Sequence, residues 1–282
     1  RLSHRYRVSP RDFNRDYFHA LLHHNYSIHN MSNSLRIAII LCDTPIQPVV
    51  EKYGDYYAIF QALLKQGFQD LGVSDDIDVH FSGHHVVDNP QFPDLKDYDA
   101  LLMTGSKHDA WSNADWIVDL TSYVKKVFEA KKPIVGICFG HQILARALGA
   151  KVGRNDIGWE ISVEGLDLTD EGKELFGKNT LSIQQMHRDI VFDVPAGCTN
   201  LGTSPICGVQ GLYMPQRALS VQGHPEFHEG IMSPLLELRH ESGLFNDELY
   251  KDALSRAGNP HDGRLIAKAM VKFIVETQSS MS

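Results

Sequence analysis

Apolar and polar positions follow two different rhythms along the chain. In the first half, short unbroken apolar runs are separated by longer amphipathic stretches. The runs predict strands, most of them buried on both faces, at LRIAIILC (35–42), IDVHFS (77–82), DALLMTG (99–105) and PIVGIC (133–138). The stretches at 56–68 and 114–130 have the apolar spacing of helices, and Asn113 is the expected N-cap of the second. This alternation predicts an α/β fold with a mostly parallel central sheet flanked by helices.

From about residue 160 the apolar segments become shorter and lie closer together. They are ISVEGLDL, TLSIQQMH, DIVFDVP, GVQGLYM and RALSVQGH. Closely spaced strands of this kind are typical of mixed or antiparallel pairing, so a smaller antiparallel portion is expected here. Helical spacing returns after Glu229 and ends in an amphipathic segment at 263–278. Because no low-complexity linker interrupts the pattern, residues 35–282 are predicted to form a single domain.

The first 34 residues show neither the apolar runs of strands nor the apolar spacing of helices. They are rich in arginine and in histidine, the latter at His4, His19, His23, His24 and His29. We expect a disordered N-terminal extension over residues 1–34, ahead of the domain. An arginine-containing transit peptide is the alternative, although Asp12 and Asp16 are unusual for one.

Composition narrows the class of protein. The chain of 282 residues is 43% hydrophobic, enough for a substantial core, and its net charge is −8. Lysine and arginine are scattered, which gives no basic surface for nucleic acid or for an anionic membrane. The four cysteines form no CxxC pair, so neither a zinc knuckle nor a disulfide framework is indicated. No apolar stretch reaches the roughly 20 residues of a membrane span, and a reducing cytoplasmic location is expected.

The sequence GICFG places Cys138 between two glycines, directly after a predicted strand and before the predicted helix GHQILARALG. A strand that turns at once into a helix brings the residues two positions before and after the turn into contact, and Gly136 and Gly140 relieve that crowding. This is the pattern of a nucleophile elbow with cysteine as nucleophile. The helix N-terminus would favour the thiolate form. A buried structural thiol remains the alternative for Cys138.

A cysteine nucleophile needs a histidine to carry its proton and a third group to orient the imidazole. SVQGHPEF supplies both, because residues 224 and 226 of an extended segment lie on the same side and let Glu226 reach His224. HPEFH also resembles a pair of zinc ligands. Pro225 excludes a helix here, however, so His224 and His228 would not share a face.

These residues resemble the class I glutamine amidotransferases, whose glutaminase domains use a Cys-His-Glu triad. GICFGHQILARALGA and QGHPEF carry the resemblance, which covers most of residues 35–228. It implies that Cys138 is the nucleophile, His224 the general base and acid, and Glu226 the orienting carboxylate. It further implies an oxyanion hole formed by Gly105 or Ser106 together with the backbone amide of Phe139, and a contact of Gln142 with the glutamyl group of the substrate.

Within that family, TGSKHDAWSNADWI, GRNDIGWEISV and QQMHRDIVFDVP are similar to stand-alone γ-glutamyl peptidases of plants and to their fungal relatives. The similarity implies hydrolysis of γ-glutamyl bonds in compounds of the glutathione type. His187 and Arg188 lie where amidotransferases hold the α-amino and α-carboxylate groups of the glutamyl moiety.

The expected reaction is therefore cysteine-dependent hydrolysis through a glutamyl thioester, which requires no metal and no organic cofactor. One alternative is a glutaminase subunit that delivers ammonia to a separate synthase, which would then be a partner. A second is a catalytically idle regulatory homologue that keeps the fold.

Overall fold

A seven-stranded sheet forms the centre of the structure, a computed structural model that describes residues 34–87 and 89–281. Its strands are β1 (Ser34–Leu41), β2 (Asp78–His85), β3 (Ala100–Met103), β4 (Ile134–Ile137), β9 (Thr199–Asn200), β11 (Gly211–Met214) and β12 (Ala218–Val221). They are ordered β2-β1-β3-β4-β12-β11-β9. The first five run parallel, and β11 and β9 are each antiparallel to the strand before them. The predicted parallel sheet is confirmed.

Helices cover this sheet. They are α1 (Gln47–Tyr53), α2 (Tyr56–Leu71), α3 (Asp115–Glu129), α4 (Phe139–Ala147), α5 (Asp170–Phe176), α6 (Glu229–Glu241), α7 (Asp247–Arg256) and α8 (Gly263–Met281). Ala38 and Ile40 of β1 belong to the apolar cluster that contains α3 and α4. Ile37 and Ile39, on the other face of the same strand, are equally inaccessible to solvent. Both faces of the central strands β1, β3, β4 and β12 are therefore buried, which is why these strands lack polar alternation, whereas the edge strand β2 is largely exposed and keeps polar residues.

Further antiparallel pairs lie outside the central sheet. Strands β10 (Gly202–Thr203), β6 (Glu160–Leu168) and β7 (Thr180–His187) form one small sheet, and β5 (Val152–Arg154) pairs with β8 (Asp189–Val191). The register of β6 and β7 sets Glu160 opposite His187. The last strand of this half, β12, has the mixed pairing that was expected, since it is parallel to β4 and antiparallel to β11. That position decides which residues meet at the site described below.

The extension predicted for residues 1–34 lies outside the described residues except for Ser34, which begins β1, so it stays a prediction. Among the described residues, none of the helices combines the length and apolar character needed to cross a membrane.

Candidate active site

Cys138 occupies the bend between β4 and α4. Its backbone has φ 50° and ψ −102°, a conformation that residues other than glycine rarely adopt. The bend is held by hydrogen bonds on both sides, since the Cys138 amide donates to the Val221 carbonyl at 2.9 Å and its carbonyl accepts from Gln142 at 3.0 Å. The residue is 5% exposed and lies at the N-terminus of α4. This is the strained geometry expected of a nucleophile elbow.

The two glycines of GICFG are required by close backbone contacts. A Cβ on Gly136 would lie 2.7 Å from the carbonyl oxygen of Gly140. A Cβ on Gly140 would lie 2.6 Å from the carbonyl oxygen of Met103, on the neighbouring strand. The steric reason given for the glycines is confirmed for Gly136, whereas Gly140 is required by a different contact, because it lets α4 approach β3.

Substituting Gly140→Ala is expected to lower the free energy of unfolding by about 1–3 kcal/mol, because the contact involves main-chain atoms that cannot move independently. Gly165→Ala is the matched control, since a Cβ there meets no atom within 4 Å. Its effect should stay within about 0.5 kcal/mol. Urea denaturation of both variants measures the difference, and equal stabilities would contradict the steric requirement.

The imidazole of His224 is held by Glu226, with 2.8 Å between Nδ1 and Oε1. The segment is a turn and not the extended strand that was predicted, since the Phe227 amide donates to the His224 carbonyl at 3.3 Å. Pro225 occupies the turn, where its fixed φ is favourable. The ring of Phe227 stacks on the imidazole at 4.1 Å. The predicted contact between His224 and Glu226 is present, but a turn makes it.

Cys138, His224 and Gly105 meet where three neighbouring parallel strands end. A Cβ built on Gly105 would lie 2.7 Å from Cε1 of His224 and 3.7 Å from the Cβ of Cys138. Gly105 follows β3, Cys138 follows β4 and His224 follows β12, and these strands are adjacent in the sheet. Open α/β sheets bind ligands at such carboxyl ends.

Charge around His224 favours its protonated form. Burial by itself lowers the pKa of His224, but the negative charges of Glu226 and then Cys138 outweigh it and raise the pKa to about 10. The Glu226 side chain is fully buried, so its charge acts in a medium of low polarity. At neutral pH the histidine is therefore an imidazolium beside the cysteine, ready to donate a proton.

Gly105, Ser106 and Phe139, the predicted oxyanion donors, flank this meeting point. Phe139 is the first residue of α4, so its N–H has no acceptor one turn earlier within the helix. The turn at Gly105 is fixed from outside, because the Thr104 hydroxyl accepts from the Cys42 amide at 3.0 Å and the Lys107 amide donates to Asp43 at 2.7 Å. A rigid turn of this kind is what an oxyanion donor requires.

Gln142, the predicted substrate contact, is already engaged on its donor side. Its Nε2 donates to the Asp189 carbonyl at 2.8 Å and to Oε1 of Gln222 at 3.1 Å. Only Oε1 of Gln142 is therefore left to meet a substrate. Gln222 in turn donates from Nε2 to the Cys138 sulfur at 3.6 Å. Sequence reasoning missed Gln222, and its place at the end of β12, two residues before His224, was the available signal.

His187 and Arg188 are placed differently from each other. His187 is buried, with Nε2 2.8 Å from Glu160 and Nδ1 3.1 Å from the Asp189 carbonyl, so a substrate could bind the ring only by displacing one of these partners. Burial raises the pKa of Glu160, but hydrogen bonding and attraction to His187 more than reverse this and lower it. Arg188 is half-buried, and its Nε has no hydrogen-bond partner among the described residues. Their roles toward substrate stay predictions.

Glu160, His187 and Cys207 have the chemistry of metal ligands, with donor atoms within 4.8 Å of one another. Each is already hydrogen-bonded within the protein, since Gln210 donates to Glu160 at 2.7 Å and the Cys207 thiol to the Val209 carbonyl at 3.4 Å. Burial raises the pKa of Cys207 to about 12, which disfavours the thiolate that a metal would need. We interpret these three residues as a hydrogen-bonded cluster that holds the Asp189 carbonyl in place through Nδ1 of His187.

The histidine pair of HPEFH is separated in the way the proline argument requires. The helix α6 begins only at Glu229, and His228 precedes it as the N-cap. Its Nδ1 accepts from the Gly230 amide at 3.1 Å, while its ring packs edge-on against Tyr53. Nδ1 of His228 is therefore used in capping, whereas His224 faces Cys138.

The loop after Gly105 is anchored by α4. Arg146 donates to the carbonyls of Ala110 at 2.8 Å and Ser112 at 2.6 Å, and to Oδ1 of Asn113 at 2.9 Å. Asn113 is therefore not the N-cap of α3, and that prediction was wrong. The helix begins at Asp115 after Ala114, which has no side-chain cap, because the tertiary contact with Arg146 has taken the asparagine oxygen.

Polar side chains at the tip of this loop connect it to β5 and β8. Trp111 donates from Nε1 to Asp189 at 2.9 Å, and Arg154 bonds both Asp189 and Asp109. Asp189 thus supports the loop through its carboxylate and Gln142 through its carbonyl. The position of the loop is consequently coupled to the residues beneath Cys138.

Known proteins with similar sequences belong to one enzyme family. The chain matches the family model described as glutamine amidotransferase class-I over residues 53–237. A glutamine amidotransferase-like protein of Schizosaccharomyces pombe is 38% identical over 248 residues, which cover 85% of this chain and 98% of that protein. Gamma-glutamyl peptidase 2 of Arabidopsis thaliana is 33% identical over 224 residues, which cover 77% of this chain and 86% of that protein.

The fold agrees as well. The crystal structure of a glutamine amidotransferase from Thermotoga maritima superposes with a TM-score of 0.63 at 19% sequence identity, covering 86% of this chain and 97% of that one. The architecture and the extent of the family match lead to one assignment: the chain belongs to the class I glutamine amidotransferase family.

Proposed function

We propose that the protein is a cysteine-dependent hydrolase that cleaves γ-glutamyl amide bonds through a glutamyl thioester. The observation that carries the proposal is the meeting of Cys138, on its strained elbow, with the His224–Glu226 pair at the ends of β4 and β12. A nucleophile, a proton carrier and an orienting carboxylate are the parts that acyl transfer needs.

The chemistry follows from these parts. The Cys138 thiolate forms a bond to the γ-carbonyl carbon, and the displaced electron pair on oxygen is stabilised by the amides of Phe139 and of Gly105 or Ser106. The carbonyl re-forms as the C–N bond breaks, and the leaving amine takes a proton from the His224 imidazolium. Water then attacks the thioester, with His224 as base, which releases the glutamyl carboxylate and restores the thiolate and the imidazolium.

The relatives favour a γ-glutamyl peptidase within the family. Alongside γ-glutamyl peptidase 2, γ-glutamyl peptidase 3 of the same plant is 30% identical over 84% of this chain. The second candidate, a glutaminase subunit supplying ammonia to a separate synthase, is favoured by the family itself, because its model is that of glutamine amidotransferases. Both candidates use the same three residues and differ only in the amine that leaves.

A substrate panel separates the candidates. Purified protein is incubated with glutathione, an S-conjugate of glutathione and glutamine, and the released amine and glutamate are quantified by mass spectrometry. We expect kcat/KM to be higher for the γ-glutamyl peptides than for glutamine. Greater turnover of glutamine, increased further by a co-purifying synthase, would support the subunit instead. Absence of turnover on every γ-glutamyl compound would support the catalytically idle homologue.

A further inference from the structure

We propose that Gln222 is a catalytic residue that holds the Cys138 thiolate through its side-chain amide, the proposed function being taken as given. Its Nε2 lies 3.6 Å from the sulfur, which is within hydrogen-bonding range for an N–H donor and a large, polarisable acceptor. A donor on the reacting sulfur stabilises the thiolate relative to the thiol, because hydrogen bonds to a charged form favour that form.

The orientation of the Gln222 amide is determined by its neighbours. The Asp189 carbonyl can only accept a hydrogen bond, so the group of Gln142 that faces it must be Nε2. The same Nε2 also reaches Gln222, whose facing atom must then be Oε1. The remaining end of the Gln222 amide, its NH2 group, is thereby directed at Cys138. Three hydrogen bonds thus run from a main-chain carbonyl to the nucleophile, and none of them can reverse.

Burial makes this donor effective. Gln222 is completely inaccessible to solvent, Gln142 is 3% exposed and Cys138 is 5% exposed. Water cannot readily replace a lost donor at such a site, so the thiolate depends on the protein for stabilisation. The backbone amide of Gln222 is fixed as well, since it donates to the Gln210 carbonyl at 2.9 Å. The side chain therefore has little freedom to leave the sulfur.

Other titratable groups act on the sulfur in the wild type and in its variants alike. His224 and Glu226 lie on the turn after β12, Tyr56 lies on α2, and Cys207 precedes β11, and each interacts electrostatically with Cys138 or with its histidine partner. Glu160 acts from β6 on Cys207. The neutral substitution Gln222→Met leaves all of these groups in place, so a change in the titration of Cys138 in that variant would report on the amide.

The experiment is alkylation of the intact protein with iodoacetamide across a pH series, with the modified Cys138 peptide quantified by mass spectrometry. Gln222→Met keeps the approximate shape and removes the donor. We expect it to slow alkylation about tenfold at neutral pH and to raise the midpoint of the pH dependence by about one unit. Gln222→Glu still accepts from Gln142 but places an acceptor at the sulfur, and we expect a larger decrease.

Gln185→Met is the matched control. Gln185 is also fully buried and donates from Nε2 to another glutamine, Gln210, at 3.0 Å, but the sulfur is not its partner. Its alkylation midpoint should equal that of the wild type. Circular dichroism and thermal denaturation identify any variant that has lost its fold. If Gln222→Met misfolds, the comparison rests on Gln222→Glu.

A failure of the proposal for Gln222 can be distinguished from a failure of the proposed function, because alkylation needs no γ-glutamyl substrate. If Gln222→Met and Gln222→Glu keep the wild-type midpoint and rate, the proposal for Gln222 is overturned while Cys138 can still be the nucleophile. If the wild type hydrolyses no γ-glutamyl compound of the panel while the Gln222 variants still shift the midpoint, the proposed function fails and the contact of Gln222 with the sulfur stands. A midpoint that moves equally in Gln185→Met also overturns the specific role of Gln222.

Discussion

Substituting Cys138→Ala is expected to reduce γ-glutamyl hydrolysis by about 10⁴-fold or more, because the covalent route loses its nucleophile and only binding and oxyanion stabilisation remain. Activity is measured by release of glutamate from the best substrate of the panel. Of the four cysteines, Cys42 and Cys207 are buried, and burial raises the pKa of each to about 12, so neither can replace Cys138. Undiminished hydrolysis in this variant would falsify the mechanism.

A second substitution at the same position separates the effect of losing the sulfur from the effect of backbone strain on stability. Cys138→Gly lacks the sulfur, as Cys138→Ala does, but glycine adopts φ 50° without steric cost. Relief of about 1–3 kcal/mol of strain exceeds the greater chain entropy that glycine brings to the unfolded state. We therefore expect Cys138→Gly to be more stable to urea than Cys138→Ala by about 1 kcal/mol, with both inactive. Equal stability of the two variants would show that the elbow is unstrained.

Substituting Glu226→Gln is expected to lower kcat by about 10⁴-fold while the fold is retained. Oε1 of Glu226 accepts from Nδ1 of His224 at 2.8 Å and so keeps the other ring nitrogen directed at the cysteine. A glutamine at this position can donate to Nδ1 instead, which places the imidazole proton on Nε2 and prevents that atom from acting as a base. Steady-state kinetics measure the effect.

The stability difference between the wild type and Glu226→Gln should depend on pH in a defined direction. The pKa of His224 is raised to about 10, above its unfolded value of about 6.5, so the ion pair stabilises the fold fully below about pH 6.5 and is lost as the pH rises through about 10. In Glu226→Gln the pKa of His224 should fall, since the main attracting charge is removed. NMR titration of the His224 ring measures this shift. The difference in unfolding free energy between wild type and variant should shrink as the pH approaches and passes 10.

Glu226→Asp is the control for this prediction. It keeps the negative charge but shortens the side chain, so the pKa of His224 should stay above its ordinary value while the contact with Nδ1 lengthens. We expect it to retain more activity than Glu226→Gln. If both variants lose the same activity and His224 titrates identically in both, placement of the carboxylate matters and its charge does not.

Some features of the site follow from local sequence alone. The bend of the elbow depends on local sterics, because a Cβ on Gly136 would contact the carbonyl oxygen of Gly140, four residues later. Likewise His224 and Glu226 meet across a turn that Pro225 favours, even though an extended segment was expected. The alternation of apolar runs was sufficient to predict the parallel sheet, since strands buried on both faces lack polar positions.

Other features depend on contacts between distant segments. Asn113 seemed a suitable cap from its position, but Arg146 takes its side-chain oxygen, and no local pattern indicates this. Gln222 lies beside Cys138 only because β12 pairs with β4, and Asp189 reaches Gln142 only because β8 lies near α4. The contact of His187 with Glu160 likewise depends on the register of β6 and β7.

The sequence by itself indicated the candidate nucleophile, the glycine two residues before it and the histidine with its carboxylate, because each depends on atoms close together in the chain. Only the tertiary structure decided that these two motifs, 86 residues apart between Cys138 and His224, meet at one edge of the sheet. It also decided that a polarised chain of glutamine amides lies behind the sulfur. The physical reason is that strand order and the direction of buried amides are set by long-range pairing and packing, which short-range residue preferences do not specify.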